Sequence, residues 1–242
     1  MIPEFPAGIF KLDILKNIDI GSVIIQFAVL LFSLSIHEAA HAWMADRCGD
    51  YSARYLGRVT LNPIPHIDLI GTILFPLLAF FVNFPLIGWA KPVPINPLHL
   101  KNPHQDQMYI SVAGPVSNLL AAVVAFLLLG VLKLASSYAG SVVDYIVATW
   151  TIPGQQSILA PIAGILFFMM IINIALAFFN LIPIPPLDGH WILAGLLPRN
   201  AAEAFQRFGS FGFILLYALM WLGAFKIILI PINIARRMLL AF

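Results

Sequence analysis

Five consecutive residues inside an apolar stretch contain two histidines and a glutamate. They are His37, Glu38 and His41, in an H-E-x-x-H pattern. On an α-helix, residues i and i+4 lie on one face, so both imidazoles can bind a single ion while the glutamate lies beside it. The pattern is typical of zinc hydrolases, in which the glutamate acts as general base. Ionisable side chains at membrane depth are costly unless something neutralises them, which disfavours a packing role for this group. The motif therefore predicts a Zn²⁺ site.

A third ligand is expected elsewhere, because catalytic zinc usually has three protein ligands. The candidates are a handful of carboxylates and the histidines His66, His99, His104 and His190. Among the carboxylates, Asp188 follows an apolar stretch and a segment that contains three prolines. Prolines cannot continue a helix, so we expect an extended, rigid arm that fixes the direction of Asp188. Because an aspartate before glycine is also common in turns, a helix-capping role for Asp188 stays open.

The composition places these residues in a membrane. Of the 242 residues, 61% are hydrophobic and 10% are charged, against roughly 45–50% and about 25% in soluble domains. The net charge of +2 comes from scattered basic residues, which gives no indication of a nucleic-acid partner. A single cysteine, Cys48, excludes an internal disulfide and a thiolate zinc cluster. We therefore expect one membrane-embedded domain, residues 1–242, with the lipid bilayer around it.

Four stretches are long and apolar enough to span a bilayer, for which about 20 residues are needed. They are Gly21–Ala45, Gln107–Leu134, Ser157–Asn180 and Phe208–Ile232. A fifth stretch, Ile67–Trp89, is apolar but contains two prolines, an asparagine and a glycine near its end. The sequence thus predicts an all-α integral membrane protein with about four transmembrane helices, and the fifth stretch is ambiguous.

Three motifs together resemble the site-2 protease family of intramembrane zinc metalloproteases. They are His37-Glu38-x-x-His41, Gly114-Pro115-x-x-Asn118 and Asn180-x-x-Pro-x-Pro-x-x-Asp188-Gly189, in the family's order. Two further stretches, 62–71 and 88–94, are similar to compact members of that family that lack PDZ and CBS domains. The resemblance covers about residues 20–200.

The resemblance implies zinc ligands at His37, His41 and Asp188. It also implies that Glu38 is the catalytic acid and base, and that the substrates are transmembrane segments of other proteins. The expected activity is therefore that of a zinc endopeptidase in regulated intramembrane proteolysis, acting on transmembrane or membrane-proximal peptide bonds. By the same resemblance Asn118 and Asn180 would lie near the site, although hydrogen bonding between helices, worth about 1 kcal/mol, explains them equally well.

The fifth stretch is constrained by these ligands. His37 and His41 lie near the end of the first predicted helix and Asp188 lies beyond the end of the third, so those helices must run parallel. An odd number of membrane crossings must then separate the two helices. Gln107–Leu134 is one crossing, so Ile67–Trp89 cannot be a full span. It is predicted to enter the membrane and return, as a helix followed by a strand-like Gly88–Ile95.

Four spans place seven basic residues on the site's side and six on the other, so the positive-inside preference leans only slightly toward a cytoplasmic site. The family resemblance carries this orientation more than the charges do. We expect a multi-pass protein of the cell membrane.

The proline spacing in the strand-like segment suggests how a substrate is held. Pro92 and Pro94 would face one edge, which loses its donors, while Val93 and Ile95 keep their N–H groups on the other. Strand addition along that edge would capture an extended substrate. A proline-rich turn that merely connects two elements is the equal alternative.

Two other classes of protein compete with the protease. A non-proteolytic regulator or transporter could use the same zinc ligands, and it would tolerate loss of the Glu38 carboxylate, whereas hydrolysis would not. A membrane scaffold with incidental motifs would hold no stoichiometric metal.

Overall fold

The computed structural model describes residues 20–75, 89–154 and 157–241, and the regular elements in these ranges are all helical. The α-helices are α1 (Ile20–Cys48), α2 (Ser52–Tyr55), α3 (Pro103–Ala135), α4 (Ser137–Thr149), α5 (Leu159–Asn180), α6 (Asp188–Leu196), α7 (Arg199–Arg207), α8 (Gly212–Trp221) and α9 (Leu229–Ala241). Shorter elements are a π-helical turn, Leu69–Leu74, and 3₁₀ turns at Ile64–His66, Pro97–His99, Phe208–Phe211 and Ala224–Ile228.

Three helices, α1, α3 and α5, are long and apolar enough to cross a membrane, which confirms the first three predicted spans. α3 begins before the apolar stretch because Pro103 starts the helix and the Asp106 carboxylate accepts a hydrogen bond from Asn102 N at 2.7 Å. α1 continues to Cys48, so His41 lies about 10 Å before the end of its helix. The histidines are therefore deeper within α1 than the predicted end at Ala45 suggested.

The fourth predicted span is broken. α8 and the segment Ala224–Ala241 meet at an angle of 76°, and the part of the chain that the structure describes contains three spanning helices, or four if this bent pair is one span. Gly223 between them has φ +72°, a left-handed conformation that ends a helix. The uniformly apolar sequence of this stretch does not reveal the break.

The spanning helices form a bundle in which α3 packs against both α1 and α5, and α1 also contacts α5. Small residues at these contacts, such as Ala122, Ala125 and Ala163, are almost completely buried and let the helix backbones approach closely. α4 and α9 close the end of the bundle away from the histidines, where Ile146 and Leu239 join the same core.

The predicted short β element is wrong for the part of it that the structure describes. Gly88 lies outside the described residues, and residues 89–95 form irregular backbone. Trp89 N donates to Gly71 O at 3.2 Å and Lys91 N donates to His66 O at 2.9 Å. These donors are two residues apart, whereas their acceptors are five apart, so no regular ladder can form.

The two ends of the predicted re-entrant stretch lie together. Trp89 N bonds to Gly71 O, and the Thr72 hydroxyl donates to Trp89 O at 2.8 Å. The Asp68 carboxylate accepts from Ile70 N and Gly71 N and so begins the π-helical turn. Residues 76–88, which hold most of the predicted dip, lie outside the described residues.

The segment before Asp188 is a series of tight turns and not the extended arm that its prolines suggested. Ile182 N donates to Phe179 O, Ile184 N to Ile182 O and Leu187 N to Ile184 O. The prolines stop α5 from continuing, and the remaining N–H groups find carbonyls nearby. The turns bring the chain back toward the bundle, where Asp188 opens α6.

Candidate metal centre

The two histidines of α1 face each other on one side of the helix. Their Nε2 atoms are 3.0 Å apart, and the rings meet edge to face with centroids separated by 4.5 Å. Both residues are buried. The i, i+4 spacing on an unbroken helix therefore brings two ligand atoms to one point, as the sequence predicts.

Asp188 reaches the same point from the first turn of α6. Its Oδ2 lies 3.0 Å from His37 Nε2 and its Oδ1 lies 3.3 Å from His41 Nε2. One ligand atom from each of the three residues lies within 4.8 Å of the others. His66, His99, His104 and His190 belong to no group of metal-ligating side chains that we find in residues 20–75, 89–154 and 157–241.

The hydrogen bond at Nδ1 fixes the tautomer of each imidazole. His41 Nδ1 lies 2.7 Å from Ile110 O, a carbonyl that can only accept, so this nitrogen carries the proton. His37 Nδ1 lies 2.5 Å from Asn118 Oδ1, which gives the same assignment. Both Nε2 lone pairs then point at the Asp188 carboxylate.

This donor set fits a zinc ion. Two neutral imidazoles and one carboxylate are ligands that zinc accepts in catalytic sites, with one position left for water. Asp188 Oδ2 is buried and has no hydrogen-bond partner among the described residues. With both imidazoles neutral, two lone pairs and an anionic oxygen face one point, where they could bind a cation.

Gly114 of α3 makes room for the imidazoles. A Cβ atom at this position would lie 2.5 Å from His41 Nε2 and 2.6 Å from His37 Cε1. Real Cβ atoms do not approach other atoms so closely, so only glycine fits. The Gly114-Pro115-x-x-Asn118 motif thus contributes both the space for the rings and, through Asn118, a bond to one of them.

Glu38 is half-buried beside the two histidines, and its charge acts on the His41 imidazole. Glu38 directly follows His37 on α1. Three further predicted site residues, Asn180, Val93 and Ile95, form no hydrogen bond with His37, His41 or Asp188 among the described residues. Asn180 is half-buried and its amide donates to Leu176 O of its own helix at 2.9 Å. Val93 and Ile95 are half-buried in the irregular segment.

The other polar candidates have local structural partners. His66 Nε2 lies 2.9 Å from Thr60 O, Asp68 caps the π-helical turn, and His99 Nδ1 lies 3.1 Å from the Asp50 carboxylate. His190 packs against Trp191 and Phe205, with ring centroids 5.1 and 5.0 Å away. Burial among these rings lowers the pKa of His190.

Sequence reasoning did not single out Asn173, which bonds to Asn118, or Ser33, which bonds to Asn173. Two signals could have indicated them. Ser33 precedes His37 by one helical turn and so shares its face, and Asn173 is a lone polar residue inside the most apolar spanning helix.

Comparison with known proteins gives the family. Residues 25–222 match Peptidase family M50. The chain is 37% identical over 193 residues to "Putative zinc metalloprotease YwhC" of Bacillus subtilis (strain 168), covering 78% of this chain and 77% of that one. It is 28% identical over 201 residues to "Putative zinc metalloprotease Rip2" of Mycolicibacterium smegmatis (strain ATCC 700084 / mc(2)155), covering 83% and 68%. No solved structure matches the chain.

The family match covers most of the chain, and the structure brings two imidazoles and a carboxylate together within apolar helices. The chain therefore belongs to Peptidase family M50, the site-2 protease family, and it is a zinc metalloprotease and a multi-pass integral membrane protein.

Proposed function

We propose that this zinc metalloprotease performs regulated intramembrane proteolysis, hydrolysing peptide bonds in transmembrane or membrane-proximal segments of other proteins. In this proposal His37, His41 and Asp188 hold the zinc ion and Glu38 moves the protons. The observation that carries the proposal is the convergence of three ligand atoms within 4.8 Å, two of them on a membrane-spanning helix. The catalytic domain comprises residues 1–242.

The chemistry follows from these residues. Zinc, when bound, supplies Lewis acidity that polarises the peptide carbonyl and makes a water molecule acidic. Glu38 takes a proton from the attacking water and later delivers it to the departing amine nitrogen. The Nδ1 bonds to Asn118 and Ile110 hold the imidazoles in the tautomer that leaves Nε2 free to bind.

A substrate helix must unwind before its peptide bond can react, because its carbonyls are already hydrogen-bonded. The backbone at Val93 and Ile95 is suited to hold the unwound segment. Neither N–H group forms a hydrogen bond within the described ranges, although the residues are half-buried. Ile95 also packs against a cluster that contains Ile110, whose carbonyl holds His41. Backbone pairing with an extended substrate would satisfy these donors.

The arrangement in the membrane is part of the proposal. Because hydrogen bonds join Trp89 to Gly71 and Thr72, the stretch Ile67–Trp89 would enter and leave the membrane on the same side. α1, α3 and α5 would then cross the membrane in turn, so that the ends of α1 and α5 near the site lie on one face, and α8 and α9 would form one further, bent span. We place this face on the cytoplasmic side of the cell membrane.

The test compares cleavage of a reporter transmembrane segment by the detergent-solubilised chain and by Glu38→Gln, with bound zinc measured in both. Loss of the proton carrier should reduce turnover at least ~100-fold while zinc stays stoichiometric. Glu203→Gln, an exposed carboxylate on α7, is the matched control and should cleave as the unaltered chain does. Cleavage by Glu38→Gln at the normal rate would contradict the mechanism, and a zinc-loaded chain without any cleavage would favour a metal-binding regulator or transporter.

A second variant tests the substrate contact. Val93→Pro removes one of the two N–H donors, so turnover of a transmembrane reporter should fall by about 10-fold or more while zinc content is unchanged. Unchanged turnover would remove the residues Val93 and Ile95 from the proposal.

A further inference from the structure

A buried polar network joins the three spanning helices at His37. Asn118 of α3 receives the Nδ1 proton of His37, and its own amide group donates to Ser33 O of α1 at 3.2 Å and to Asn173 Oδ1 of α5 at 2.7 Å. Asn173 Nδ2 in turn donates to the Ser33 hydroxyl at 2.8 Å and to Met169 O at 2.8 Å. Ser33, Asn118 and Asn173 are each 0% exposed, so water cannot replace a lost partner.

The network has one direction, because its ends are groups that can only accept. Met169 O is a backbone carbonyl and identifies the NH₂ end of Asn173, whose oxygen must then face Asn118. Ser33 O is likewise a carbonyl and identifies the NH₂ end of Asn118. The oxygen of Asn118 is therefore the atom that faces His37, and the proton between them belongs to the imidazole.

Reversal of the Asn118 amide would change the metal site. Its NH₂ group would face His37 Nδ1, which would have to accept, and the imidazole proton would move to Nε2. Nε2 is the atom 3.0 Å from Asp188 Oδ2 and 3.0 Å from His41 Nε2, and a proton there removes the lone pair that a metal needs. The cost of reversal is set by the partners of Asn118, of which Asn173 provides the shorter bond.

We propose that Asn173 and Ser33 are positioning residues that act through Asn118 to hold His37 in its zinc-binding tautomer. Asn173 orients Asn118 directly, and the Ser33 hydroxyl, together with Met169 O, orients Asn173. The inference rests on the proposed role of His37 as a zinc ligand. A network that served only helix packing would need satisfied partners, but its direction would have no effect on zinc.

The first measurement is zinc affinity, obtained by chelator competition on the full chain in detergent. Asn173→Leu should bind zinc about 10-fold more weakly, the usual lower effect of removing an outer partner of a metal ligand. Ser33→Ala leaves the Ser33 carbonyl in place and should weaken binding about threefold, in keeping with one lost hydrogen bond. Ser35→Ala is the matched control. Ser35 is also on α1 and 0% exposed, but the one partner of its hydroxyl among the described residues is Leu31 O of the same helix, so zinc affinity should not change.

The second measurement is the Nδ1–H proton resonance of His37 in zinc-loaded, ¹⁵N-histidine-labelled chain. In the unaltered protein and in Ser35→Ala, this proton should resonate at low field because Asn118 Oδ1 is held against it. In Asn173→Leu it should move upfield, since the acceptor is no longer fixed. Melting temperatures recorded on the same samples report any general loss of packing.

Unchanged zinc affinity and an unchanged His37 resonance in both Asn173→Leu and Ser33→Ala would overturn the inference, even if the melting temperature fell. If Asn173→Leu does not fold, Ser33→Ala against Ser35→Ala decides in the same way. Failure of the proposed function is seen separately. A His37→Gln variant that keeps full zinc affinity would remove His37 as a ligand whatever the network variants do.

Discussion

A single missing side chain allows the two imidazoles of α1 to share one point with Asp188. Gly114 lies across from both rings, and any Cβ atom there would overlap His41 and His37. The geometry of the site therefore depends on α3 as well as on the helices that carry its proposed ligands. This dependence can be tested without altering any proposed ligand.

Gly114→Ala should weaken zinc binding by about 10-fold or more, because the added methyl group displaces the two imidazoles from their common point. Gly130→Ala is the control on the same helix, where nothing lies within 4 Å of the position that the methyl group would take, and it should bind zinc normally. Chelator competition on both variants provides the measurement. Normal zinc affinity in Gly114→Ala would show that the rings can move aside without loss.

The hydrogen bonds around Asp50 lower the pKa of its carboxyl group. Its carboxylate is 0% exposed and accepts hydrogen bonds from the Ser52 hydroxyl at 2.5 Å, from Asn96 N at 2.6 Å, from Ser52 N at 3.0 Å and from His99 Nδ1 at 3.1 Å. Burial alone would raise the pKa of Asp50, but these bonds outweigh it and hold the pKa below its usual value. Asp50 thereby joins Asn96 and His99, which follow the irregular segment 89–95, to the C-terminal end of α1.

The stabilisation by Asp50 should depend on pH in a definite direction. A pKa that is lower in the folded chain than its unfolded value of about 3.9 gives stability that is complete above that value and is lost as the pH falls through the folded pKa. Asp50→Asn should therefore lower the free energy of unfolding by about 1–3 kcal/mol at neutral pH, and the difference should shrink below about pH 4. Thermal unfolding in detergent across this pH range measures it. Glu203→Gln serves as the control, and a pH-independent difference for Asp50→Asn would contradict the assignment.

At the scale of the elements, the last helix is fastened to α4 by one guanidinium group. Arg236 of α9 donates to Val147 O from Nε at 2.9 Å and from Nη2 at 2.7 Å, and its guanidinium carbon lies 4.6 Å from the centre of the Trp150 ring. It thus caps the carbonyl end of α4, where Trp150 adopts a left-handed conformation. Lys133 of α3 provides a second contact to α9 by donating to Leu239 O at 2.8 Å.

Arg236→Lys should loosen this junction, because an ammonium group cannot reproduce two bonds from a planar fork together with the contact on the Trp150 ring. We expect a loss of about 1–2 kcal/mol of stability, read as a lower melting temperature and faster proteolysis within α9. Arg237→Lys, at the neighbouring position, is the control and should change neither. Equal behaviour of the two variants would mean that the packing of Ile232 and Leu239 and the Lys133 bond hold α9 without help from Arg236.

The elements differ in how far the sequence alone predicts them. The sequence predicts α1, α3 and α5 correctly, because a run of about 20 apolar residues satisfies its backbone hydrogen bonds in a bilayer by forming a helix. The break between α8 and α9 is not found, because a uniformly apolar stretch gives no sign of where Gly223 turns the chain. The strand predicted at Gly88–Ile95 is wrong over its described part. Its N–H groups bond to Gly71 O and His66 O, and the spacing of these two acceptors is set by a π-helical turn.

The same limit applies to the site. The proximity of His37 and His41 follows from helix geometry within five residues. The approach of Asp188 is a contact between distant parts of the chain, and it was expected through the resemblance between motifs and not through the physics of the prolines, which suggested an extended arm. Asn173 was missed because a lone asparagine in a spanning helix has many explanations until its partner is seen.

For the whole molecule, the arrangement in the membrane depends on whether Ile67–Trp89 crosses it. The basic residues decide little, since the two sides differ by one among thirteen. The hydrogen bonds that Trp89 N donates to Gly71 O and that the Thr72 hydroxyl donates to Trp89 O are a stronger argument, because a stretch whose ends are joined cannot have those ends on opposite faces. With both ends on one face α1 and α5 would run parallel, as the proposed site requires, because His37 and His41 lie on α1 and Asp188 follows α5.

Single cysteines at exposed positions on either side of this stretch provide the test. Leu61→Cys and Leu98→Cys replace residues that are 55% and 90% exposed, in a chain whose own cysteine, Cys48, is buried and can be changed to alanine. A membrane-impermeant maleimide should label both from the same face, which we expect to be the cytoplasmic one, and should label Ser141→Cys, beyond the far end of α3, from the other. Labelling of Leu61→Cys and Leu98→Cys from opposite faces would make Ile67–Trp89 a full span. It would then place the ends of α1 and α5 on opposite sides of the membrane, where His41 and Asp188 could not share one zinc ion.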